Sequence, residues 1–109
     1  MSDILDIILK ENNVKLLSEL QHSSTKYDIN KNSTTLCRLA AKYGSIKILK
    51  YANDNLYLWD EKVCSKAAKY GHIECLKYAH TNGCPWNEET TLAAVKRRQM
   101  ECLKFCHEK

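Results

Sequence analysis

The chain has 109 residues, 44% hydrophobic and 28% charged, which suits one globular domain with one continuous core and is too short for two. Seventeen Lys and Arg against thirteen Asp and Glu leave a formal charge of +4, compatible with an acidic partner surface but well short of a nucleic-acid footprint. Three Gly and one Pro argue against a turn-rich β fold, and the absence of a run of about 18 apolar residues argues against a membrane span.

The first segment, MSDILDIILKENN, has neither the basic n-region nor the small-residue cleavage site of a secretory leader. A cytoplasmic, reducing location is therefore expected. On that basis the six cysteines read as small buried hydrophobes rather than a disulfide framework. Residues 3–31 carry a first helix pair, followed by a polar stretch from Gln21 to Ser33 that reads as a long loop.

Residues 39–61 read LAAKYGSIKILKYANDNLYLWDE, and residues 66–88 repeat it as KAAKYGHIECLKYAHTNGCPWNE, which gives units at 34–60 and 61–87. In the second copy a helix from about Glu61 places Cys64, Ala67 and Ala68 on one face, and Gly71 breaks it. A second helix from about Ile73 aligns Ile73, Leu76 and Ala79 and ends at Asn82-Gly83, with Gly83 as the left-handed cap. Asp60 and Asn87 read as N-caps of the first helices, each preceded by a tryptophan at hydrophobic-staple spacing to Cys64 or Thr91. Residues 88–109 hold a decayed copy, AAVKRRQMECLKFCHEK. Its turn glycine is replaced by Arg98, and Lys96, Arg97, Arg98, Gln99 and Glu101 read as a water-facing cap.

The register of these copies is constant. Ala40, Ala67 and Ala94 stand 27 residues apart, as do Leu49, Leu76 and Leu103, and Tyr51, Tyr78 and Phe105. The N-terminal pair matches when Ile8 is set against Ala40 and Leu17 against Leu49, a step of 32. Four helix–turn–helix units with atypical terminal caps are therefore expected, in an all-α fold.

The stretch AAKYGHIECLKYAHTNGCPWN resembles the ankyrin repeat through Ala67, Ala68, Gly71, His72, Ile73, Glu74, Leu76, Lys77, Gly83 and Asn87. The short form with GCPW and ECLKYAH resembles the divergent ankyrin repeats of giant DNA viruses of amoebae. The resemblance implies an ankyrin-like solenoid, and the 27-residue period against the family's ~33 implies β-hairpin fingers that are reduced or absent. The family's T-P-L-H tetrapeptide is replaced by Lys62-Val63-Cys64-Ser65, so its hydrogen-bonding residues cannot be carried over, Thr35 excepted.

The resemblance implies a non-enzymatic protein-binding module with no cofactor, using the groove lined by first-helix ends and inter-repeat loops. The positions after the Ala pair are Lys42-Tyr43, Lys69-Tyr70 and Lys96-Arg97, a recurring ladder on one side of the stack. Tyr and Arg favour an interface, whereas a merely solvated lysine face would look the same in sequence. Asn55 and Asn82 are lesser candidates at the loop ends. The expected partner is a protein with an acidic surface, a host protein if the chain is viral.

Two rival readings come from other classes. Lys96-Arg97-Arg98 with Lys104 and Lys109 form a basic patch that could hold nucleic acid weakly, but acidic residues run through every unit. His80-x3-Cys84 and Cys102-x3-Cys106-His107 could stabilise the stack with zinc, but no CxxC pair supports it. No nucleophile motif or glycine-rich phosphate loop is present, so an enzyme is not expected. The unit count is near the minimum for a stable stack. A monomer is expected; were the chain cut from a longer array, Phe105 and Cys106 would expose an apolar patch that could drive weak self-association.

Overall fold

The computed structural model describes residues 4–23, 34–97 and 99–108. Among them are eight helices and no strand: α1 (Ile4–Glu11), α2 (Val14–Ser23), α3 (Thr35–Tyr43), α4 (Ile46–Asp54), α5 (Glu61–Lys69), α6 (Ile73–Thr81), α7 (Glu88–Lys96) and α8 (Met100–Glu108). The all-α expectation holds. Helix α2 continues through Gln21 to Ser23, further than the polar composition suggested, and the rest of the expected loop, 24–33, lies outside the described residues, as do Arg98 and Lys109.

Local chemistry sets the helix ends. Asp60 accepts a hydrogen bond from the Lys62 amide (3.1 Å), and Asn87 does the same for Glu89 (3.0 Å), so both are N-caps as expected. The turn within each pair has one hydrogen-bond pattern throughout. The amides of Asn13, Ser45, His72 and Gln99 donate to the carbonyls of Ile8, Ala40, Ala67 and Ala94, at 2.8 to 3.1 Å. Closing this turn needs a left-handed residue just before it, supplied by Asn12 (φ 56°), Gly44 (φ 73°) and Gly71 (φ 75°).

Packing follows the same step. Helices α1, α3, α5 and α7 each contact the next in that series, and α2, α4, α6 and α8 do likewise. The core runs lengthwise through the molecule, which measures 43 × 29 × 17 Å. Its fully buried residues include Leu36, Ala40, Leu49, Val63, Ala67, Leu76 and Ala94. Alanines on the odd-numbered helices let their backbones approach closely, while leucines on the even-numbered ones fill the space behind.

Candidate interaction surface

The C-terminal ends of α3, α5 and α7 lie side by side because these helices pack in sequence. The expected ladder is consequently brought together. The Lys42 ammonium lies 5.5 Å from the Tyr43 ring and 6.0 Å from the Tyr70 ring, bridging two units. Lys69 and the Arg97 guanidinium approach Tyr70 at 5.4 and 5.7 Å, and Lys10 adds a cation over Tyr43 at 5.9 Å. The Tyr43 hydroxyl donates to Asp6 (3.1 Å), and burial, with this carboxylate, raises its pKa above the ordinary phenol value.

Lys96 and Arg97 belong to a groove of ≈ 450 Å³ between α5 and α7, with Lys62, Ser65, Lys66, Lys69, Glu89, Leu92 and Ala93. Its one carboxylate, Glu89, is paired with Lys62 at 2.7 Å. The walls are therefore cationic, and the half-exposed Leu92 is an apolar contact among them.

Asn55 and Asn82 are placed elsewhere. Their side-chain amides donate to the Tyr51 and Tyr78 carbonyls, both at 2.8 Å, closing the ends of α4 and α6. Asn82 also lines a separate depression between α4 and α6, with Lys50, Lys77 and Tyr78.

Behind the ladder runs a series of hydrogen bonds between units that sequence reasoning missed. Ser45 Oγ donates to the Leu9 carbonyl, the His72 Nε2 meets the Lys42 carbonyl at 3.0 Å, and the Gln99 amide donates to the Lys69 carbonyl at 3.2 Å. Three unlike residues at one register position each reach back to the end of the preceding odd-numbered helix, fixing the backbone that carries Lys42-Tyr43 and Lys69-Tyr70. The available signal was polarity recurring at 45, 72 and 99. Gln99, expected to face water, is thus half-buried and engaged.

No family model, curated protein or solved structure matches this chain.

The tryptophans pack across units. Trp59 meets Tyr78 edge-on at 6.4 Å and Trp86 meets Phe105 at 5.9 Å, one register step later. His80 stacks on Trp86 at 4.3 Å and also contacts Phe105, so this potential ligand is part of an aromatic cluster. Cys84 Sγ donates to the Asp60 carbonyl at 3.3 Å. Among the described residues no group of three or more His, Cys, Asp or Glu is arranged to hold a metal.

All six cysteines are buried free thiols. Burial pushes Cys37 and Cys75 up to about 12 and Cys102 to about 11, which suppresses the thiolate needed for nucleophilic or metal chemistry. Phe105 is half-buried and Cys106 buried, so these two residues do not form an exposed apolar patch. The exposed apolar residues on α7 and α8 are Leu92, Val95 and Met100. Among the described residues no helix is long and apolar enough to cross a membrane.

Two further apolar residues stand out at a loop tip. Leu56 is 82% exposed and holds φ 63°, and Leu58 is also exposed. Leu56 is the register counterpart of Gly83 (φ 82°), so the left-handed position was legible from the repeat, but its occupation by leucine was overlooked.

Proposed function

We propose that this chain is a non-enzymatic protein-binding module, an ankyrin-like stack of helix–turn–helix units without hairpin fingers, working in the cytoplasm. It takes a partner protein with an acidic surface along the ends of α3, α5 and α7 and the adjoining inter-unit loops. The observation that carries this reading is the cation–tyrosine ladder, in which Lys42, Lys69 and Arg97 all approach the Tyr70 ring. Tyrosine and arginine offer large contact area at low entropic cost, and surrounding cations steer an acidic partner towards it. The inter-unit hydrogen bonds from His72 and Gln99 support the reading because they hold the ladder's backbone rigid before binding.

The groove gathers five cationic side chains around one carboxylate that is already paired, an arrangement for recognition rather than for moving protons. A Tyr43→Ala/Tyr70→Ala double variant should keep the helical circular-dichroism signal and lose the proteins that the wild-type chain retains from a cell lysate. Retention of the same proteins by the folded double variant would remove this surface from consideration.

A further inference from the structure

The two ends of the molecule expose opposite halves of one interface. In the inner units, Leu36 and Val63 are fully buried, and so is Thr90 in the last unit. Their counterpart in the first unit, at the 32-residue step, is Ile4, which is 50% exposed. Ile48, Cys75 and Cys102 are likewise buried, whereas their counterpart Leu16 is exposed. These positions therefore face the preceding unit.

The opposite holds at the other end. Ala41 and Ala68 are fully buried, as is Leu9 of the first unit, but their counterpart Val95 is 50% exposed. Leu49 and Leu76 are buried, and their counterpart Leu103 is only partly so. These positions face the following unit. Met100, beside Leu103 on α8, extends the exposed apolar area.

We propose that a second copy of this chain covers these faces head to tail, its α1–α2 face (Ile4, Leu16) seated on the α7–α8 face (Val95, Met100, Leu103) of the first. The contact continues the unit-to-unit packing already present three times within the molecule. Ile4 takes the role of Leu36 and Val63, and Val95 that of Ala41 and Ala68. A second copy fits because one chain carries both halves in a common register, and each half is apolar where its partner is apolar. The two halves lie on different surfaces, so the contact is heterologous and leaves one of each face free. Assembly is open-ended rather than a closed dimer.

Sedimentation analysis of the full chain across a concentration series tests this, with Ile4→Glu and Val95→Glu each blocking one face. Wild type should show a mean mass that climbs past the dimer. Each variant alone should need a concentration higher by about ten-fold or more to associate, because a charge is placed in an apolar contact. An equimolar mixture should form a heterodimer and stop there, since Val95→Glu keeps the α1–α2 face and Ile4→Glu keeps the α7–α8 face. Both sites are half-exposed, and circular dichroism checks that the variants fold; Ile4→Lys and Val95→Lys replace any that do not. A wild type that stays monomeric overturns the proposal, as do variants that assemble like wild type or a mixture that stays monomeric. A wild-type dimer that grows no further also overturns it, pointing to a closed symmetric contact.

Discussion

The two inner units, 34–60 and 61–87, close their turns with the same backbone hydrogen bonds yet place different chemistry on them. At the turn, Ser45 makes a short reach to the Leu9 carbonyl, whereas His72 extends a ring to the Lys42 carbonyl, over Gly44. At the loop, Leu56 occupies a left-handed conformation that Gly83 occupies one step later. At the first-helix cap, Asp60 is held by the Arg38 guanidinium, whereas the counterpart of Asp60 is the neutral Asn87. The lesson is that the backbone repeats because the turn and core positions repeat, while the remaining positions are free to specialise. Where a residue departs from its counterpart without local benefit, as Leu56 does, the departure marks a place to look for binding.

Substitutions that interchange the units sharpen this comparison. The largest effect is expected at the turn glycines. A Cβ at Gly44 would lie 2.5 Å from His72 Nδ1, and alanine would also have to adopt a positive φ. Gly44→Ala should cost about 2–3 kcal/mol, combining left-handed strain with loss of the His72 hydrogen bond. Gly71→Ala should cost less, about 1–2 kcal/mol, because the obstructing group is the flexible end of Gln99. Urea unfolding of both variants checks the order, and equal losses would mean that the His72 ring is not a rigid neighbour.

The loop exchange comes next. Leu56→Gly should stabilise by roughly 0.5–1 kcal/mol through relief of left-handed strain, offset by the entropy of the added glycine. Gly83→Leu should destabilise by about 1 kcal/mol, since a Cβ there meets open space and only the backbone conformation is unfavourable. Thermal melts read both. If Leu56 belongs to the interface, Leu56→Gly should also weaken partner binding while raising the melting temperature.

Asp60→Asn converts one cap into its counterpart at Asn87. Hydrogen bonding from Arg38, aided by its charge, holds the Asp60 carboxyl below the usual carboxylate range. A depressed folded pKa means that this stabilisation is fully present above the unfolded value of about 3.9 and is lost as pH falls through the folded value. The variant should therefore be less stable than wild type at pH 7 by about 1 kcal/mol or less, and the gap should close in strong acid. Denaturant midpoints at pH 7 and pH 2 decide it, and a gap that persists at pH 2 would assign the effect to capping geometry. The smallest effect is expected for Lys62→Ala, whose exposed pair with Glu89 is screened by solvent; its denaturant midpoint should barely differ from wild type, and less still at high salt.

Much of the architecture was legible in the residues. Apolar spacing such as Cys64-Ala67-Ala68 marked the buried face of α5, and Asp60, Asn87, Gly71 and Gly83 marked helix ends by local geometry. The surface was legible in part. Lys42, Tyr43, Lys69, Tyr70 and Arg97 were found because the step repeats them, but nothing in the repeat told that Asn55 and Asn82 would turn back onto their own helices. The staple spacing of Trp59 and Trp86 was equally visible, yet these rings also meet Tyr78 and Phe105 of the next unit, and Trp86 stacks on His80 of its own.

The sequence by itself determined where most helices start and stop (the end of α2 excepted), which face of each is apolar and the 27-residue step, because these depend on residues within a turn or two of one another. Only the tertiary structure decided how Ser45, His72 and Gln99 reach back to the preceding unit, which side of the ladder tyrosines the cations take and which apolar residues remain uncovered at each end. The contacts between units, such as those from Ser45, His72 and Gln99, join residues about one repeat or more apart. Their geometry is set by how far each helix pair is shifted and rotated against its neighbour, a quantity fixed by close packing of the whole core.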